Sequence, residues 1–170
     1  MRCALPAQGA LYVDAVAQQV QLLRSRRFGL AKAAGPQAKV AAAGILVARV
    51  TTAWRKHGRH WIGLDFDGVE GTKGDLLPMA DQVRRGVAWV YKNAKSFGGD
   101  PSRIYVSGQS SGAHLAGNIV TTDWKQYGVP TNVVKGALLC SGMYDLKPVR
   151  LSKRSEYVAF TDEIEEKLSS

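Results

Sequence analysis

Five residues past the middle of the chain set the tightest limit on its fold. Gly108-Gln109-Ser110-Ser111-Gly112 is a G-x-S-x-G that follows the apolar run Ile104-Tyr105-Val106 and precedes Ala113, Leu115, Ala116 and Ile119 at helical spacing. A strand that turns into a helix so abruptly brings backbone against backbone, and the two glycines stand where a Cβ would strike the neighbouring element. The serine between them is expected in a strained backbone conformation that exposes its hydroxyl, a strain its small neighbours tolerate. Ser111 opens the helix, so its N–H is aimed at negative charge developing beside Ser110 and is helped by the positive helix end. Other glycine motifs fail on spacing. Gly108, Gly112 and Gly117 are not G-x-G-x-x-G, and no G-x-x-x-x-G-K-[ST] occurs, so dinucleotide and P-loop readings are poor. A serine-rich turn without chemistry is the bland alternative that the same residues allow.

The neighbouring segments alternate between strand and helix. Trp61 to Phe66 reads as a strand and Asp67 to Asp75, with three glycines, as a surface loop. Met79, Val83, Val87, Val90, Tyr91 and Ala94 recur at three and four, which predicts an amphipathic helix from Pro78 to about Ser96. Phe97-Gly98-Gly99-Asp100-Pro101 stops it, and Val133 to Cys140 reads as a third, buried strand. Strands alternating with helices predict an α/β fold on a mainly parallel sheet. Nearer the start, Val13, Val16, Val20 and Leu23 predict a helix over Val13 to Arg27, Gly35-Pro36 a break, and Ile45 to Val50 a strand.

The 170 residues suffice for one domain with a core, and 45% apolar content excludes disordered and fibrous classes. Net charge is +9, yet residues 1–60 carry ten Lys or Arg against the single acid Asp14, while residues 61–170 are balanced. Such asymmetry is the mark of a nucleic-acid arm, a membrane-surface segment or a transit peptide. Only Arg24, Arg26 and Arg27 cluster, aromatics are not interleaved and serine is scarce, so no nucleic-acid partner and no organelle address is expected. With no Glu and no Asn, the composition of 1–60 fits a segment foreign to the domain that follows. The expected organisation is a basic, unassigned segment over 1–60 and a domain over 61–170. No run is long enough to span a membrane, no secretory signal is read, and Cys3 and Cys140 give no disulfide framework. A cytoplasmic protein is the expectation, with Cys140 a small buried hydrophobe.

The stretch LLPMADQVRRGVAWVYKNAKSFGGDPSRIYVSGQSSGAHLAG, continuing to TTDW and GALLCSGMYDLKPV, resembles the α/β-hydrolase superfamily. It is most similar to the esterase and arylformamidase-like (kynurenine formamidase-like) branch, over roughly residues 61–170. The resemblance implies a three-layer α/β-hydrolase sandwich with a nucleophile elbow, here in part, without the C-terminal strands. It implies Ser110 as acyl-accepting nucleophile and Ser111 as donor of one oxyanion-hole N–H, with Gly108 and Gly112 as the elbow glycines. The substrate class implied is a small-molecule ester or formamide, with no metal or organic cofactor and no membrane partner. Gln109 stands where the branch carries histidine, beside the nucleophile and outside the triad.

A serine hydroxyl needs a base to take its proton and an acid to orient that base, and in this fold they follow the serine in the order acid, then histidine. His57 and His60 precede Ser110, His114 lies four residues beyond it on the same helix, and no histidine follows. Asp145 is read as a cap of the turn Leu146-Lys147-Pro148, and Asp162, Glu163, Glu165 and Glu166 as a solvated helix face. His57-Gly58-Arg59-His60-Trp61 matches the branch's H-G-G-x-W oxyanion loop only by coincidence, because Trp61 already opens a strand. The expectation is the central part of a hydrolase, weakly active or inactive as it stands, with a catalytically silent module as the alternative. An open sheet edge is expected to promote self-association.

Overall fold

The computed structural model describes residues 11–15, 39–40 and 57–170. Five strands form one sheet: β1 (Leu11–Ala15), β2 (Lys39–Val40), β3 (His60–Asp65), β4 (Ile104–Gln109) and β5 (Val134–Cys140), in the spatial order β2-β3-β1-β4-β5. All neighbouring pairs are parallel except β2 with β3. Leu11, His60 and Ile104 share one row of the register, so every parallel strand ends on the same side of the sheet, the side on which Ser110 follows β4.

Period-two burial explains the central strands. Leu11, Val13, Ile62, Leu64, Ile104 and Val106 point to one face and are buried. Against that face lie helices α1 (Leu76–Asn93) and α2 (Ser111–Val120). The opposite pleat carries Tyr12, Trp61 and Tyr105 in one register row, all half-buried, with the Tyr12 and Tyr105 rings stacked at 5.3 Å. Asp75 caps α1 by accepting from the Leu77 N–H at 2.9 Å, and Met79, Ala80, Val83, Val87 and Val90 form its buried stripe. A 3₁₀ turn over Ala94–Phe97 and Gly98 at φ 80° end the helical run. The Asp100 carboxylate then fixes the entry to β4. It accepts from the Ser102 amide and hydroxyl and from the Arg103 guanidinium, and these bonds, the Ser102 hydroxyl foremost, hold its pKa down at about 2.

Beyond β5 come two short helices, α3 (Leu146–Arg150) and α4 (Asp162–Leu168). Asp145 caps α3 by accepting from the Lys147 N–H at 3.0 Å, the role its position suggested. In α4 the acids face solvent while Ile164 and Leu168 are buried, and Arg150 bridges to Asp162 and Glu165. Among the described residues no helix is long and apolar enough to cross a membrane.

Two sequence expectations need correction. Leu11–Ala15 is the middle strand of the sheet, with Leu11 and Val13 all but inaccessible. The first three residues of the helix expected from Val13, up to Ala15, therefore lie in a strand; the rest of that span, Gly35-Pro36 and Ile45 to Val50 lie outside the described residues. β5 is not a buried strand. It is the last strand of the described sheet, and Lys135, Ala137, Leu138 and Cys140 are exposed, so Cys140 is not a core hydrophobe.

Candidate active site

Ser110 occupies the single residue between β4 and α2, with φ 56° and ψ −123°. An L-residue avoids that region because its Cβ crowds the backbone, at a cost of about 1–3 kcal/mol. Three contacts keep it there. Its N–H donates to the Cys140 carbonyl at 2.9 Å, tying the turn to the end of β5. Its own carbonyl accepts from the Ala113 and His114 amides at 3.0 and 3.2 Å, starting the helix. And a Cβ on Gly108 would run into the carbonyl of Gly112 and the amide nitrogen of Ala113, so strand and helix approach only because residue 108 has none.

The Ser110 side chain is left available. It is exposed, and although Ser110 is the N-cap residue of α2 its hydroxyl makes no capping bond. Ser111 and Gly112 are the first helical residues, so their N–H groups have no acceptor within the helix and the positive end of its dipole lies beside the serine. This arrangement supplies an exposed hydroxyl next to backbone donors, the two elements needed to attack a carbonyl and hold the resulting oxyanion.

No histidine joins them. His60 shares a register row with Ile104, six strand residues before Ser110, which places it about 20 Å away at the opposite end of the parallel strands. Its Nε2 lies 3.2 Å from the Gly98 carbonyl and its ring packs edge-on against Phe97. His57 lies in the exposed turn before β3, so the His57-to-Trp61 segment is at the end of the strands far from Ser110 and cannot form an oxyanion loop for it. His114 is buried, and its Nε2–H donates to the Leu168 carbonyl at 2.7 Å. Asn118 donates to the same oxygen and to the His114 carbonyl, both at 3.1 Å. The pair fastens the end of α4 to α2, a structural role that the sequence reading missed for Asn118. Among the described residues no cluster of three or more His, Cys, Asp or Glu could hold a metal ion.

Burial pulls the His114 pKa down, and the bond to Leu168 opposes this. The unfolded chain takes up this proton near pH 6.5 and the folded chain only at lower pH, so below about 6.5 the unfolded state binds more protons. This part of the stability is complete above about pH 6.5 and is lost as pH falls through it. His114→Gln, which keeps a donor but cannot titrate, is expected to flatten the fall in urea midpoint between about pH 7.5 and 5. It should also lose about 1 kcal/mol at the upper pH. Equal slopes for the two proteins would show that the group carries no such linkage.

The profile of the Carboxylesterase family matches residues 75–164, from the cap of α1 through the Ser110 turn to α4. This chain belongs to that family. Kynurenine formamidases of Danio rerio and Salmo salar are 41% and 42% identical to it over 92 residues, 54% of this chain. The chain spans only 30% of the length of these relatives. Among solved structures, the acetyl ester-xyloside bifunctional hydrolase of Caldicellulosiruptor lactoaceticus aligns over 96% of this chain and 55% of its own, with a TM-score of 0.58 at 16% identity. A sugar hydrolase of Lactococcus lactis aligns over 96% of this chain and 56% of its own, with a TM-score of 0.56 at 17% identity. These likenesses show the α/β-hydrolase fold, of which the described residues hold a five-stranded part.

Proposed function

We propose that the chain carries the nucleophilic half of a site that hydrolyses small-molecule esters or aryl formamides, with Ser110 as nucleophile. The observation that supports this best is the backbone of Ser110 itself. A strained conformation is kept between strand and helix, and its outcome is an exposed hydroxyl that bonds to nothing beside free helical N–H groups. In this reading Ser110 Oγ attacks the carbonyl carbon, and the oxyanion is stabilised by the Ser111 N–H and the α2 dipole. The alcohol or amine leaves with a proton, and water then hydrolyses the acyl-serine. The formamidase relatives favour a formyl or other short acyl group on an aryl nitrogen or oxygen.

The proton from Ser110 has no described histidine to receive it, so the base of this reaction comes from outside the three histidines of the chain. That same observation favours a second reading, a family member that is catalytically silent. Chemical rescue separates them. With imidazole as added base, a fluorophosphonate is expected to phosphonylate Ser110, located by peptide mass, at a rate that rises with imidazole free base. Ser110→Ala should abolish the adduct. An adduct on another residue, or none at any imidazole concentration, would leave the silent reading standing.

A further inference from the structure

We infer that Ser141 is a positioning residue for Ser110, acting through its backbone conformation and not through its hydroxyl. The inference rests on the reading of Ser110 as nucleophile. Among the described residues three that are not glycine have positive φ: Lys73, Ser110 and Ser141. The two serines lie side by side. Gln109 pairs with Cys140 at the ends of β4 and β5, and the bond from the Ser110 N–H to the Cys140 carbonyl carries that parallel ladder one residue further. Ser141 therefore stands next to Ser110, about 5 Å across the sheet. Both have φ 56°.

One peptide plane joins the two. The Cys140 carbonyl belongs to the peptide that ends in the Ser141 nitrogen, so rotation about φ of Ser141 swings that oxygen relative to the chain beyond. At φ 56° the oxygen meets the Ser110 N–H at 2.9 Å. Relaxing Ser141 to a negative φ requires either this plane or the following chain to turn. The following chain is held. The Tyr144 ring lies over Gly142, where an added Cβ would run into the ring and its hydroxyl. The Tyr144 carbonyl accepts from the Ser170 N–H at 2.8 Å, and Leu146 is buried. The plane is therefore what would turn, and the bond to Ser110 would go with it. The Ser141 side chain is exposed, so no core packing dictates its strain. What the strain maintains is the anchor of the nucleophile's own amide.

Substitution at 141 separates backbone from hydroxyl. Glycine adopts positive φ freely, Asn tolerates it, and the β-branched Thr and Val resist it. Amide hydrogen exchange at Ser110, read by nuclear magnetic resonance, tests the bond without any chemistry. Ser141→Thr and Ser141→Val are expected to speed it about tenfold, with the Val106 and Ile119 amides unchanged as a check on the fold. Ser141→Gly and Ser141→Asn should leave it within about twofold. Imidazole-dependent fluorophosphonate labelling of Ser110 should follow the same order, slowing about tenfold in the β-branched pair. A Ser110 amide indifferent to Ser141→Thr and Ser141→Val would overturn the inference. So would labelling that follows the hydroxyl, kept in Ser141→Thr and lost in Ser141→Gly, or labelling unmoved while the amide opens. Wild-type protein that never labels would sink the nucleophile reading instead, and the exchange series would still decide whether Ser141 holds the Ser110 amide.

Discussion

Gly108→Ala is expected to destabilise the fold by about 3 kcal/mol or more, the largest effect of any single added methyl in the described chain. The new Cβ would meet the Gly112 carbonyl and the Ala113 amide nitrogen, which are backbone atoms and cannot rotate aside. Neither element can retreat cheaply. β4 is held between β1 and β5, and α2 is anchored by the buried Ala113, Leu115, Ala116 and Ile119. Relief must therefore come from opening the turn at Ser110, which breaks its bond to Cys140. Gly117→Ala on the same helix is the control. Its Cβ meets the Ser170 hydroxyl at 2.7 Å and otherwise only the Tyr144 ring at contact distance, so a small side-chain movement suffices and a loss under about 1 kcal/mol is expected. Urea midpoints with unchanged slopes would measure both. A Gly108→Ala protein as stable as Gly117→Ala would mean that strand and helix are not locked together as described.

The difference between these glycines shows what the sequence could reveal. Two glycines four residues apart, after an apolar run and before a helical one, mark a tight strand-to-helix turn, and at Gly108 backbone atoms stand where a Cβ would be. The helix at 76–93 was legible for the same kind of reason, since its apolar stripe has one period and one partner. Leu11–Ala15 was not, because Val13 also begins the helical spacing Val13, Val16, Val20, Leu23, and the longer pattern outweighed the Leu11/Val13 alternation. Cys140 was misread because an apolar run says only that a strand could be buried. Whether it is depends on what packs over it, and among the described residues β5 pairs with β4 alone. Ser110 was legible as a candidate, while its anchor, the Cys140 carbonyl thirty residues on, exists only through the pairing of β4 with β5. His114 could be set aside by its place on the helix, but its bond to Leu168 depends on where the chain returns.

That histidine also decides how active the chain should be alone. Without added base it is expected to hydrolyse an activated aryl ester little above background, and Ser110→Ala should change the rate only slightly. A positioned hydroxyl beside backbone donors still lacks a proton acceptor, and oxyanion stabilisation by itself leaves at most ~10³-fold acceleration over water, far below an intact triad. His60 is about 20 Å away at the opposite end of the parallel strands. His114 cannot serve without surrendering the Leu168 carbonyl, and burial disfavours the charged imidazolium that a base must become. Fluorophosphonate labelling without imidazole should accordingly be weak. Steady-state rates for the wild type, Ser110→Ala and His114→Gln measure this directly. Fast turnover that disappears in Ser110→Ala would refute it and require a base brought to Ser110 by a rearrangement or by a second chain. If His114→Gln abolished that turnover too, the α4 end would have to release His114 during the reaction.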